Sequence, residues 1–461
     1  VSTFNVHVFA ILTNKNTKRA SYTVRWSVAG KRFRDTFATK ALAESYRSKL
    51  VVSQREGVAF DETTGLPEPM ARELLAVSWY SHAVEFIDMK WPHSSPNHRR
   101  SMAEALTTVT PTLLSTDRRM PPAKEIRAAL MGWSFNRRAR EQGPSPEHLR
   151  PTIEWLESHT VNLSALTDAA LVRHVLDSLA LRLDGKPAAA TVIARKRAVF
   201  SSTLKYAVEL RRLDIHPLKA LSWKAPKANE VVDRRVVINP AQARNLLNAV
   251  HECAPELVAF FGCIYYSALR PEEVLHLRKD EYEPPKELGE WGWFTLTGAT
   301  VTVGQEWNDE EGADQHRTLK HRPRTATRRV PVPPELVELL AAHLDQFGTH
   351  RDGRLFVTRR GPGGVYTHPT DRPVSNSTYT RIWARARRTA LTEAQEASPL
   401  AKRPYDLRHA AVSLWLNSGV QPTQVAEWAG HSVHVLMKVY AKCVDGEVEV
   451  SLRHISAALA A

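Results

Sequence analysis

Pro404-Tyr405-Asp406-Leu407-Arg408-His409, then Gly430-His431-Ser432, then Tyr440: these three points decide how the chain is read. Arg408 and His431 are 23 residues apart, and Tyr440 follows the histidine by nine. Upstream lies a second arginine in Ala268-Leu269-Arg270-Pro271-Glu272-Glu273. Between the two stands Lys320, within Arg317-Thr318-Leu319-Lys320-His321-Arg322-Pro323-Arg324. A planar guanidinium matches two oxygens of a phosphate and stays charged at neutral pH. Two such clamps supply the electrostatic stabilisation that metal ions give elsewhere. A phenol can take a phosphoryl group covalently and keep the bond energy for resealing. Two arginines, a lysine, a histidine and a late tyrosine are thus a tool set for metal-free phosphodiester transfer. The competing assignment for Tyr440 is an apolar helix face shared with Val435, Leu436 and Val439.

The bulk composition agrees with a polyanionic partner. The 461 residues carry a net charge of +14, with 43% apolar and 24% charged residues. That length predicts two or three cores, and the charge favours nucleic acid over an anionic membrane. Cys253, Cys263 and Cys443 form no CxxC pair, which fits a reducing cytoplasm. The longest apolar run, residues 257–269, is too short to span a bilayer and contains Gly262 and Ser267, so it reads as a buried helix. No charged stretch followed by a long apolar run opens the sequence, so no signal peptide is expected.

The charge is uneven. Residues 1–60 hold eleven Lys and Arg against three Asp and Glu, a net of +8. Tyr22 to Val28 alternates as a half-buried strand should, Ala29-Gly30-Lys31 is a turn, and residues 32–37 return. With an earlier strand over 6–12, this predicts a small three-stranded sheet. Thr39 caps a helix behind it with apolar stripe Leu42, Tyr46 and Leu50. Arg25, Arg32 and Arg34 then share the outer face and are candidate DNA contacts. Residues 56–70, with two glycines and two prolines, read as a linker. Residues 71–225 read as all-helical, over 72–87, 99–114, 123–142, 151–157, 168–183 and 188–213. The last carries Arg195, Lys196 and Arg197, which suit a phosphate track. After a hinge over 222–238, residues 235–461 read as a mainly helical domain with a small antiparallel sheet. Lys320 and Val330 are expected on paired strands there. The expected class is multidomain α+β.

This ordered set resembles the catalytic domain of the tyrosine recombinases, the phage-integrase family. The first segment resembles their arm-type DNA-binding domains, and the second their core-site DNA-binding domains. The resemblance implies that Tyr440 is the nucleophile forming a 3′-phosphotyrosyl intermediate. Arg270 and Arg408 would bind the scissile phosphate, His431 would donate to a non-bridging oxygen, and Lys320 would protonate the leaving 5′-oxygen. Glu273, three residues after Arg270 on the same helical face, would orient its fork. Arg322 and Arg324, with Arg328 and Arg329, read as a basic phosphate-contacting loop. The implied partners are double-stranded DNA attachment sites, further copies of the chain in a tetrameric synapse, and an excision or host architectural factor. A cytoplasmic, nucleoid-associated setting in a bacterium carrying a mobile element follows from the same resemblance, and no membrane partner is expected. The segment 451–461 would dock on a neighbouring protomer.

One position departs from the family pattern. Tyr405 stands where a histidine is usual, and a phenol is a poor base at neutral pH. His431, His409, water or the arginine field is left to deprotonate Tyr440. Other chemistries are weakly supported. Asp309-Glu310-Glu311 are adjacent in a loop and do not converge as metal ligands do, so no metal is expected. Gly361-Pro362-Gly363-Gly364 lacks the lysine of a nucleotide loop, so no cofactor is expected. A type IB topoisomerase-like nicking and rejoining enzyme uses the same residues, and a DNA-binding regulator with a relict site is a third reading. The basic first segment favours a recombinase, which needs a second DNA contact.

Overall fold

Alternation in Ser21–Val28 sets the first sheet. Val24, Trp26 and Val28 are buried, while Arg25 between them is exposed. Ala29 and Gly30, both at positive φ (49° and 82°), turn the chain into Lys31–Phe37. A two-residue turn of this kind matches the twist of the strands it joins. The register sets Arg25 opposite Arg34 and Ser27 opposite Arg32, so the three arginines share one exposed face. The strand expected over 6–12 is broken in two. Val6–Val8 and Leu12–Asn14 both pair with one edge of Ser21–Val28, making four strands in three positions.

The computed structural model describes residues 2–14, 20–74, 77–182, 184–226, 231–287, 289–302, 304–309, 314–319, 326–359, 369–440 and 443, with 452, 456, 459 and 460. They form a helix-rich α+β chain with small antiparallel sheets, divided into two compact units, Val1–Lys227 and Ala228–Ala461. Among the described residues no helix is long and apolar enough to cross a membrane.

Behind the first sheet runs the helix Lys40–Arg55, its first turn capped by the Thr39 hydroxyl. Its buried line is Ala43, Tyr46 and Leu50, with Tyr46 against Trp26 and Phe37. Leu42, expected on that line, is 56% exposed, because the sheet meets the helix one residue further round. Residues 56–70 are not a bare linker. Phe60–Asp61 pairs with Ser2–Thr3, Phe60 is fully buried, and the Trp26 indole donates to the Gly65 carbonyl. Gly65 sits at φ +72°, and a Cβ there would run into the Phe33 ring.

The helical remainder of this unit is more broken than periodicity suggests. The stretch expected as one helix over 123–142 is Ala123–Ala129, a π-turn Leu130–Ser134, and Arg137–Glu141. Ala190–Glu209 is the longest helix and packs on Pro96–Val109.

In the second unit Asn239 opens the helix Pro240–Cys253 with a reciprocal capping box. The apolar run becomes the buried helix Val258–Tyr266. Gly292–Leu296 is the central strand between Tyr282–Glu283 and Arg328–Val332. A separate antiparallel pair joins Gly298–Thr302 to Asp314–Thr318. The strands flanking Lys320 are therefore paired with different partners and not with each other. Pro334–Phe347, Asn376–Ala390, Asp406–Asn417, Pro422–Ala429 and Val433–Tyr440 complete the unit. Lys320, Arg322 and Arg324 lie outside the described residues, as does most of 451–461.

Packing of residues 56–70 onto the sheet predicts that Phe60→Ala lowers unfolding stability by about 3–5 kcal/mol. A denaturant melt that moves by well under ~1 kcal/mol would mean that the segment is a free linker after all.

Candidate active site

Glu273 is the centre of a buried ion cluster. It occupies the third position of the helix Pro271–His276, whose N-cap is Arg270. One carboxylate oxygen accepts from the Arg270 backbone N–H at 2.8 Å, and the other accepts from Arg270 Nη1 at 2.8 Å. Arg328 donates to the same two oxygens at 2.9 and 2.7 Å. Both Glu273 and Arg328 are 2% exposed. Burial pushes the Glu273 carboxyl up, but Arg328, then Arg270 and Arg408, outweigh it and hold it well below the usual carboxylate range. Charge-assisted, bidentate pairing of this kind fixes a guanidinium in plane as well as in place.

Arg328 is the residue that the sequence reading misplaces. It was grouped with a basic phosphate-contacting loop, yet it faces inward with Val330 and Val332, both fully buried. The two-residue repeat of a strand carries that information, since residues 328, 330 and 332 share one face while Arg329 is exposed on the other. Arg329, on the other face, lies over the Trp293 ring and pairs with Glu283.

Arg408 lies in the first turn of Asp406–Asn417 and is fully buried. Its guanidinium donates to the carbonyls of Ala268 and Ala429 and to Nε2 of His431, the last at 3.0 Å. Its Nε–H has no partner among the described residues. Ala268 is buried at φ 50°, a left-handed conformation that costs a non-glycine residue about 1 kcal/mol or more. That turn aims its carbonyl at Arg408 and delivers Arg270 to the start of the next helix. Gly430, left-handed at φ 65°, ends the helix Pro422–Ala429. Its carbonyl accepts from Arg270 Nη2 at 2.9 Å, and a Cβ on it would collide with Arg328. Both arginine forks are thus tied to the same Gly430-His431 corner.

His431 accepts from Arg408 through Nε2, so its proton is on Nδ1, which is buried and has no partner among the described residues. Burial, then Arg408, Arg270 and Arg328, lower its pKa to about 3, leaving the ring neutral. The Tyr440 ring centroid is 6.2 Å from that of His431, and Tyr440 is 1% exposed at the end of Val433–Tyr440. Burial raises the Tyr440 phenol, with Arg408 and Arg270 pulling the other way. Its hydroxyl is 3.0 Å from Nδ1 of His409, and the Tyr405 ring lies edge-on against His409.

The fold therefore gathers Arg270, Glu273, Tyr405, Arg408, His409, His431 and Tyr440, residues from three separated stretches, and adds Arg328. Two guanidinium groups contact one carboxylate, and the charge of a third, Arg408, acts on the same carboxylate without bonding to it. An excess of positive charge in so dry a place calls for an anion.

The other expected contacts divide. Arg25, Arg32 and Arg34 are exposed together. Arg195 pairs with Glu104 at 3.1 Å and with Ser101. Lys196 is 8% exposed with its ammonium on the Thr108 hydroxyl, because it falls on the buried line of Ile193, Phe200 and Thr203. Arg197 is half-buried.

No family model and no curated protein sequence matches the chain. Among solved structures it is similar to the Tn1549 transposon integrase in complex with transposon right end DNA, at 14% identity over 70% of this chain and 98% of that one, TM-score 0.48. It is also similar to a lambda integrase tetramer bound to a Holliday junction, at 12% identity over 92% and 95%, TM-score 0.44. The XerH site-specific recombinase bound to its palindromic substrate is similar at 12% identity over 77% and 94%, TM-score 0.42.

Removing the shared carboxylate charge leaves two buried cations short of a partner. Glu273→Gln is expected to cost about 3–5 kcal/mol at neutral pH. Because folding holds this carboxyl below its ordinary value of 4.5, its stabilisation is full above that value and is lost progressively as pH falls from there through the lowered folded value. The variant's stability should accordingly depend less on pH in the acid range. Parallel wild-type and variant curves there would contradict the assignment.

Proposed function

We propose that this chain is a site-specific DNA recombinase of the tyrosine-recombinase class, cutting and rejoining double-stranded DNA through a 3′-phosphotyrosyl intermediate. The observation that carries this is the buried Arg270–Arg408–Arg328 cluster, only partly neutralised by Glu273, beside the hydroxyl of a buried tyrosine. A phosphodiester in transfer supplies the missing negative charge. Arg270 and Arg408 hold its non-bridging oxygens, and their geometry is set before substrate arrives, which is how electrostatic catalysis avoids reorganisation in the transition state. His431, neutral and with an Nδ1–H that has no partner among the described residues, is suited to donate to one of those oxygens. Tyr440 attacks phosphorus. The 5′-oxygen leaves with a proton, a role that the family resemblance gives to Lys320. No step needs metal or nucleotide.

The exposed Arg25, Arg32 and Arg34 face supports a separate arm-site contact. Arg25 and Arg34 are direct cross-strand neighbours, an arrangement that is unfavourable for like charges until an anion lies across it. Four active sites exchange two duplexes, so the working assembly is a tetramer on DNA, as expected of an element-borne integrase acting at attachment sites.

A nicked suicide substrate carrying the attachment site should trap a covalent adduct. Tyr440→Phe should abolish it with DNA affinity unchanged, and an adduct that survives the substitution would remove the central assignment. Arg25→Ala with Arg34→Ala should flatten the salt dependence of arm-site binding, by about one unit of log–log slope per lost phosphate contact, and spare core-site cleavage. The opposite pattern would refute the assignment of the first sheet.

A further inference from the structure

The Tyr440 hydroxyl has a partner within its own fold. It lies 3.0 Å from Nδ1 of His409. Burial lowers the imidazole's pKa to about 4, with Arg403 and Arg408 adding to the effect against Asp406, so the ring is neutral; in the tautomer that carries its proton on Nε2, the phenol donates and Nδ1 accepts. The ring is held from both sides, with centroids 5.2 Å from Tyr405 and 5.7 Å from Tyr440. It also lines a cavity of about 390 Å³ with Asp233, Val236 and Arg403, which keeps it in reach of water. The other candidates for a base are committed elsewhere. His431 uses its bare nitrogen to accept from Arg408. Tyr405 carries a phenol.

We propose that His409 is the general base for Tyr440, set one helical turn beyond the position where Tyr405 stands in place of a histidine. This rests on the recombinase reading above and names a catalytic group within it. As the Tyr440 Oη–P bond forms, the Oη–H bond breaks and its proton passes to His409 Nδ1. The P–O5′ bond breaks, and the 5′-oxygen takes a proton from the cationic donor on its own side. His409 then stands as imidazolium beside the phosphotyrosine. In rejoining, the 5′-hydroxyl returns its proton to that donor as the P–O5′ bond re-forms, the P–Oη bond breaks, and Nδ1 returns its proton to the phenol oxygen. The two half-reactions balance without a co-reactant. So weakly basic an imidazole takes nothing from a resting phenol. It accepts the proton only as the oxygen becomes an ester oxygen, which keeps the nucleophile idle until a phosphate is seated.

The test is single-turnover cleavage of the suicide substrate by the full chain. His409→Ala should lower the rate by about 10²–10³-fold with site affinity unchanged, and added imidazole should recover part of it. A 3,5-difluorotyrosine at position 440, whose phenol ionises more readily, should also recover part of the loss. His409→Asn keeps a hydrogen-bond acceptor near the phenol but takes no proton, so it should be as slow as the alanine variant. Cleavage by His409→Ala at the wild-type rate overturns the proposal. So does a loss that the asparagine variant repairs while imidazole and fluorination do not, since that pattern marks a purely positioning contact. If the wild-type protein forms no adduct, or Tyr440→Phe keeps it, the recombinase reading itself fails and this assignment with it.

Discussion

One carboxylate organises the second unit. Glu273 is shared by Arg270, the N-cap of its own helix, and Arg328, which comes from a strand far along the chain. Without it, two guanidinium groups would sit in a dry interior with no counter-charge, and the cost of an unpaired buried ion is several kcal/mol. With it, Arg328 ties the three-stranded sheet to the start of the helix Pro271–His276. Arg270 in turn reaches the Gly430 carbonyl, so the sheet, that helix and the Gly430-His431 corner become one charged framework.

Arg408 extends the framework by a different means. Its guanidinium is spent largely on two carbonyls, Ala268 and Ala429, each at the end of an element that delivers a site residue. Backbone strain at Ala268 and the left-handed turn at Gly430 are intelligible in that light, since both aim groups at the arginines. The result is a site that is structurally satisfied except for charge. Among the described residues the buried Arg408 Nε and His431 Nδ1 have no partner, and the framework keeps a net positive balance. A tetrahedral oxyanion is the kind of group that completes such a place, and the tyrosine next to it is the kind that can hold it covalently.

Much of this was legible in residue order. The spacing of Arg270, Glu273, Arg408, His431 and Tyr440 brought out the gathered set, because side chains at fixed offsets on short helices have few places to go. Thr39 and Asn239 gave correct helix starts for the same local reason. The failures share another cause. Arg328 was hidden by its neighbours: a run of basic residues reads as a solvated loop, and only the two-residue period of Arg328–Val332 separates the inward arginine from the outward one. Lys196 was lost in the same way on a helix, where the buried line passed through a charge. Residues 56–70 have linker composition, and turn-rich sequence looks the same whether it hangs free or packs on Trp26 and Phe33. Strand partners in the second unit depend on choices between distant segments, so Asp314–Thr318 was assigned to the wrong neighbour.

The decisive question is which protein atom becomes bonded to DNA. Mass spectrometry of the proteolysed covalent adduct reads this directly. The expected product is the peptide containing Tyr440 with a nucleotide attached to the phenol oxygen through its 3′-phosphate. A nucleotide on any other residue, or one linked through a 5′-phosphate, would contradict it.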